Sequence, residues 1–254
     1  MKFTIITSLY GTLPVVKECI DSWLPLPPNW NLIVYNSAVS SIDGTTDYIR
    51  QKQKEHNFLL IEDGKTRSHT SAIKTIIPSI DGDWVLHLDS DAKLLNKFFF
   101  LWAEATAKSK KYKVYGKVDK RISARIAIRE RYIHNNTVNE MYLPRCHQWL
   151  MMFEKEYFIQ KNISFDDIIM TAKITSHGKK LASQDGTKNY DHGDEIFIFG
   201  DTSWQLFWES IGDDLFCSFP DEAYNCWKHL NNQSCKWDRV NRELILSGSF
   251  HRVS

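Results

Sequence analysis

The chain has 254 residues, enough for one domain with a sizeable core or one domain with an appended lobe. Hydrophobic residues at 43% and charged residues at 25% match an ordinary soluble globular protein, and a formal net charge of +1 argues against a globally basic nucleic-acid binder. Five cysteines without a Cys-x-x-Cys pair, and an N-terminus with too short an apolar run for a secretory signal or membrane span, make a reducing cytoplasm the expected compartment.

In chain order, Phe3 to Leu9 reads as a strand, followed by a turn over residues 10–14 and a helix over 15–23 that must end before Pro25, Pro27 and Pro28. Asn31 to Asn36 is a second apolar strand, and the polar stretch 37–46 leads into a helix over 46–55. Phe58 to Ile61 is a third strand, closing on Glu62-Asp63-Gly64-Lys65, and Ser68 is placed to cap a helix over 68–77. Trp84 to Leu88 is a nearly unbroken apolar run, as expected of a central strand buried on both faces.

That run ends in Asp89-Ser90-Asp91. Side chains alternate along a strand, so the two carboxylates point the same way if strand geometry persists that far. Like charges at the rim of a buried sheet repel and resist desolvation, so they call for a cation or strong donors. Hard oxygen ligands suit Mn²⁺ or Mg²⁺, and the carboxyl edge of a parallel sheet is where open α/β folds bind ligands. The blander alternative is that the pair caps the next helix, an apolar one expected over 96–107.

Residues 108–131 carry ten basic side chains against Asp119 and Glu130, a local charge of +8. Arg121, Arg125 and Arg129 recur at helical spacing, whereas Ile122, Ala124, Ile126 and Ile128 alternate as in a strand, and both readings stand. The segment is either a solvated face or an anion site for a diphosphate, a phosphorylated acceptor or a nucleic-acid backbone. Residues 176–193 read as a polar, glycine-bearing loop, and Asp201 stands near the start of a late helix. Cys217, Cys226, His229 and Cys235 match no standard zinc spacing.

The run Asp83-Trp84-Val85-Leu86-His87-Leu88-Asp89-Ser90-Asp91, placed on the fourth strand of a βα series, resembles the DxD strand of GT-A glycosyltransferases, especially family 2. The stretch Asn36-Ser37 to Asp43-Gly44-Thr45 resembles a lengthened form of that family's loop after its second strand, with Tyr35 where an acidic residue usually stands. His147 to Phe158 and Asn162 to Asp167 resemble its later strand and helix start. The resemblance implies an α/β GT-A fold: a Rossmann-like, mostly parallel central sheet flanked by helices, with a smaller acceptor-side subsheet. It implies a single domain over 1–254, in which residues 1–95 form the nucleotide-sugar half ending in the DxD motif and residues 96–254 the acceptor half.

The implied activity is a metal-dependent, inverting transfer of a sugar from a nucleoside-diphosphate donor, UDP before other nucleotides, to a glycan hydroxyl. Asp91 is then the metal ligand and Asp89 the contact to ribose or metal-bound water, with His229 or His251 as a further ligand to Mn²⁺ or Mg²⁺. Thr7, Ser8, Tyr10, Asn36, Asp63, Arg67, Ser71, Lys74, Asp89 and Ser90 are expected around the nucleotide. Arg121, Arg125, Arg129 and Trp149 are expected at the acceptor or its phosphates. Asp201 is the expected catalytic base, with Asp194 and Glu195 in reserve.

Three alternatives stay open at this point. The acceptor could be a hydroxylated base in DNA, held by the basic segment, or the fold could serve as a non-catalytic sugar- or nucleic-acid-binding module. A haloacid-dehalogenase-like phosphatase also uses Asp-x-Asp, but at the end of its first strand, and here three strands come before it.

Overall fold

A computed structural model describes residues 1–38, 43–65, 67, 69–119, 131–134, 137–140, 145–163, 168–173, 191–192, 195–199 and 204–230. Strand β1 (Phe3–Leu9), helix α1 (Leu13–Trp23), β2 (Trp30–Asn36), α2 (Thr45–His56), β3 (Leu59–Ile61) and α3 (His69–Ile76) form an alternating series. Next come β4 (Trp84–Leu88), the short β5 (Ala92–Leu94), α4 (Phe98–Ser109) and β6 (Val114–Asp119). The remainder contributes β7 (Arg131–His134), β8 (Thr137–Glu140), β9 (Arg145–Glu154), α5 (Lys155–Gln160), β10 (Ile168–Lys173), β11 (Asp191–His192), β12 (Glu195–Phe199), α6 (Trp204–Gly212), β13 (Phe216–Ser218), α7 (Asp221–Tyr224) and β14 (Trp227–His229).

Seven strands make the central sheet, in the order β13-β6-β9-β4-β1-β2-β3. The pairs β1–β2, β1–β4, β2–β3 and β13–β6 are parallel, and β9 alone runs against its neighbours β4 and β6. A separate antiparallel sheet, β10-β12-β11, supplies the smaller subsheet. This is the GT-A arrangement anticipated from the DxD strand.

The elements of the first half lie within a residue or two of their predicted bounds. Helix α1 begins earlier than predicted, at Leu13, because Pro14 is tolerated in a first turn whose amides need no helical partner, and the Leu13 amide donates to Asp43 Oδ2 at 3.0 Å. The stretch 120–130 lies outside the described residues, so the helix-or-strand alternative for Arg121, Arg125 and Arg129 is not addressed. Most of the loop read over 176–193 lies outside them too, apart from the two residues of β11.

Strand β4 is buried along its whole length, and its alternation sorts side chains between two cores. Trp84, Leu86 and Leu88 pack with Val16, Ile20 and Trp23 of α1 and Phe99, Phe100 and Ala103 of α4. Val85 lies on the opposite face, with Ala72, Ile73 and Ile76 of α3 and Leu206 and Phe207 of α6. His87 shares the parity of Val85 and is fully buried on that α3 face. Burial on both faces encloses β4 as fully as its neighbour β1, and a carboxylate is stable only where β4 ends.

The strands β1 and β4 start together: the amides of Asp83 and Trp84 both donate to the Lys2 carbonyl, at 2.9 and 3.2 Å. Gly82 is pressed against this junction, where an added Cβ would lie 2.5 Å from Thr4 Oγ1 and 3.0 Å from the Thr4 amide nitrogen. Gly82→Ala is therefore expected to lower stability by about 1–3 kcal/mol, the usual cost of overpacking, measurable by urea denaturation. An unchanged midpoint would show that the β1–β4 junction yields more readily than its packing implies.

Candidate active site

Strand geometry stops at Leu88. The chain then turns, with the Ala92 amide donating to the Asp89 carbonyl at 3.0 Å, so the expected strand alternation does not carry Asp89 and Asp91. The two carboxylates converge through this turn and through the short ladder that follows it. β5 pairs antiparallel with β14, in a register that sets His229 opposite Ala92, and the Leu230 amide donates to the Asp91 carbonyl at 2.9 Å. His229 Nε2 thereby comes to 2.9 Å from Asp91 Oδ1 and 3.8 Å from Asp89 Oδ2. One ligand atom from each of Asp89, Asp91 and His229 can be chosen so that all three lie within 4.8 Å of one another.

The neighbours hold this geometry. The Trp149 indole of β9 stacks on the His229 ring, with centroids 4.9 Å apart and planes 4° from parallel. The Trp149 carbonyl accepts the Asp89 amide at 3.1 Å. Trp23 of α1 donates its indole N–H to the Ala92 carbonyl at 2.8 Å, and Ser22 Oγ accepts the Leu94 amide at 2.9 Å. Asp91 is 7% exposed and Asp89 half-buried, so the carboxylates sit at a lip, neither in the core nor free in solvent. They do not cap α4, whose first amides are met instead by Asn96 Oδ1, accepting from Phe98 at 2.9 Å. Two carboxylate oxygens and an imidazole nitrogen form a donor set that fits Mn²⁺ or Mg²⁺.

On the α3 side of the same edge, Ser8 Oγ lies 2.9 Å from His69 Nδ1, and His69 Nε2 lies 3.0 Å from His87 Nε2. His69 Nε2 is also 3.7 Å from Asp89 Oδ1. Burial, reinforced by the neighbouring His69, pushes His87 well below the ordinary histidine range, so this ring is neutral. Tyr10 tilts toward His69 at a centroid distance of 6.5 Å, and burial raises its hydroxyl to about 12, keeping it protonated. Neither histidine was anticipated from the sequence. The signal was there in His87, a polar residue inside an otherwise apolar strand.

A third cluster closes the end of β3. The Tyr35 hydroxyl donates to Asp63 Oδ1, while Arg67 Nε donates to the Tyr35 hydroxyl at 2.8 Å and to Asp63 Oδ2 at 2.9 Å. Arg67 Nη1 reaches Ser71 Oγ at 3.4 Å. Tyr35, the aromatic residue at the end of β2, is thus backed by an acid that follows β3.

The expected nucleotide residues divide accordingly. Ser8, Tyr10, Asp89 and Ser90 gather at the β4 edge, and Asp63, Arg67 and Ser71 at the β3 edge. Asn36 is fully buried, with its amide nitrogen on Thr46 Oγ1 and Glu62 Oε1 at 3.1 and 2.7 Å. Thr7 is buried within β1, and Lys74 projects from α3 as an exposed side chain. Ala72, next to Ser71 on α3, lies in the core. Trp149 is at the site, but against His229. Asp201, Asp194, His251, Arg121, Arg125 and Arg129 lie outside the described residues, as does the side chain of Glu195.

The sequence signature of Glycosyl transferase family 2 matches residues 4–178. No curated protein matches the chain. Among solved structures, Staphylococcus aureus TarS 1-349 is similar at 17% identity and a TM-score of 0.47, over 65% of this chain and 50% of that one. The same protein in complex with UDP-GlcNAc gives 17% and 0.47, over 65% and 48%. The mannosyltransferase PcManGT from Pyrobaculum calidifontis, in complex with GDP-Man and Mn²⁺, gives 18% and 0.47, over 94% and 64%. The chain thus spans about half the length of the TarS chains it matches.

The hydrogen bond from Tyr35, followed by those from Arg67, holds the Asp63 carboxyl down at about 2. A folded-state value below the unfolded one, about 3.9, stabilises the fold above that pH and is lost as pH falls through the folded value. Asp63→Asn should therefore be less stable than the parent at pH 7, with the difference closing between about pH 4 and pH 2. Urea denaturation across that range checks it; a difference that is constant with pH would mean that Asp63 acts without its charge.

Proposed function

The chain belongs to glycosyl transferase family 2, and from that premise we propose that it moves a sugar from a nucleoside-diphosphate donor, UDP before other nucleotides, to a glycan hydroxyl, using Mn²⁺ or Mg²⁺. One observation carries the reading: Asp89, Asp91 and His229 converge at the carboxyl end of β4, where an open α/β sheet receives its ligand. Asp91 and His229 hold the cation, and Asp89 completes the set or orients a water or ribose hydroxyl beside it. When bound, the cation would supply Lewis-acid cover for the charge that develops on the leaving diphosphate.

The chain's own groups do the rest. Trp149 keeps the His229 ring in register with Asp91. Tyr10, protonated at the pocket rim, can only donate from its hydroxyl while a phosphate oxygen is beside it. The Tyr35–Asp63–Arg67 cluster, anchored by the buried Tyr35 ring, offers the fixed polar atoms of Asp63 and Arg67 toward the base side of the donor. Asp201 is the proposed base, taking the proton from the acceptor hydroxyl as it attacks the anomeric carbon. A single base with no second carboxylate nucleophile gives inversion.

A glycan is favoured over DNA as acceptor. In the described part of the basic segment, Lys113 and Lys117 are paired with Glu154 and Asp221, so those charges are compensated within the fold.

Asp91→Ala is expected to abolish Mn²⁺-dependent binding of UDP by calorimetry, and EDTA should do the same to the parent protein. Asp201→Ala should bind as the parent does while its transfer rate falls by about 10²- to 10⁴-fold. UDP binding indifferent to both EDTA and Asp91→Ala would remove the metal from the account. Undiminished transfer by Asp201→Ala would place the base elsewhere.

A further inference from the structure

The Asp89 carboxylate has two sides, and only one of them is used above. Its Oδ2 faces His229 at 3.8 Å, whereas its Oδ1 lies 3.7 Å from His69 Nε2. The Nε2 atoms of His69 and His87 are 3.0 Å apart, and ligand atoms of His69, His87 and Asp89 fall within 4.8 Å of one another. We propose that His69, His87 and Asp89 form a second divalent-cation site of the zinc class, with Asp89 bridging it to the ion held by Asp91 and His229.

The donor chemistry differs between the two sides. Asp91, Asp89 and His229 offer two oxygens and one nitrogen, which suits a hard cation, whereas the second set offers two imidazoles and one carboxylate. Two histidines and a carboxylate are a recurrent ligand set for Zn²⁺ that leaves an open position, and imidazole prefers such borderline metals to Mg²⁺. Ligand atoms about 2.0–2.1 Å from one metal stand about 3.0–3.4 Å from each other, so the His69–His87 separation of 3.0 Å needs almost no adjustment, while Asp89 Oδ1, 3.7 Å from His69 Nε2, must draw closer.

The surroundings of His69 are also those of a ligand. Ser8 Oγ holds His69 Nδ1 at 2.9 Å, which fixes the ring and turns Nε2 toward His87. His87 lies on β4, which is buried along its whole length, and is itself fully buried, so its ring is held by packing. Tyr10 and the half-buried His69 leave an approach from solvent. A plain hydrogen bond between the two rings is the competing account, and it predicts no metal.

The site requires neither nucleotide nor transfer, so it can fail while the proposed function stands. The full chain is loaded with Zn²⁺ without nucleotide, dialysed, and its metal counted by mass spectrometry, with Co²⁺ spectra following ligation directly. Two ions per parent chain are expected, one in His69→Ala and one in His229→Ala. The Co²⁺ bands that remain in His229→Ala should disappear when His69→Ala is added. Loss of His69 should weaken the second ion by at least about 10- to 100-fold. His87→Gln repeats the test from the buried partner, with circular dichroism confirming the fold of every variant. A His69→Ala protein that keeps the parent's ion count and affinity overturns the proposal, as does a parent that binds a single ion lost in His229→Ala.

Discussion

Two negative charges at the end of a fully buried strand set the terms for everything around them. Asp89 and Asp91 cannot retreat into the core, because desolvating a carboxylate costs far more than the local packing returns, and their mutual repulsion grows as water is excluded. The fold answers by bringing cationic or donor groups to them. His229 arrives on β14 through a three-residue ladder with β5, its ring flattened against Trp149, and it meets Asp91 at 2.9 Å. On the other side His69 comes within 3.7 Å of Asp89.

The rigidity behind this arrangement lies in the sheet. The parallel strands β1, β2, β3 and β4 end along one edge, and each end carries polar groups: Ser8 near the end of β1, Asn36 and Ser37 at the end of β2, Asp63 after β3, and the acid pair after β4. Beneath that edge, apolar packing on both faces keeps the strands from shifting against one another. Side chains mounted at the ends of such strands are placed more precisely than those on loops, and a ligand site needs its groups held to within about 0.5 Å.

Polar groups near this edge fall into two kinds. Asn36, with its buried amide on Thr46 and Glu62, and Asp43, on the Leu13 and Thr45 amides, knit the loops together. Tyr10, Asp63, Asp89 and His229 instead keep part of their side chains accessible at this edge. Residue type alone does not separate the two kinds. Asn36 and Asp63 both follow strands and both are polar, yet one is a structural clamp and the other ends a cluster at the surface.

Much of the architecture could be read from the chain itself. Apolar runs of strand length, prolines and turns between them, and the position of Asp89-Ser90-Asp91 on the fourth strand determined the βα series, the fold class and the edge that carries the acid pair, because those signals are local and periodic. What only the tertiary structure decided are the encounters between distant segments: the β5–β14 register that delivers His229, the Trp149 ring that stacks on it, and the packing of α3 on β4 that brings His69 to His87. The alternation rule itself failed one residue past Leu88, where a turn replaced the strand, and the two acids converged by a route that periodicity does not describe. Periodicity reports which face of an element is buried, whereas the meeting of two side chains depends on how whole elements pack, and that is a property of the assembled core.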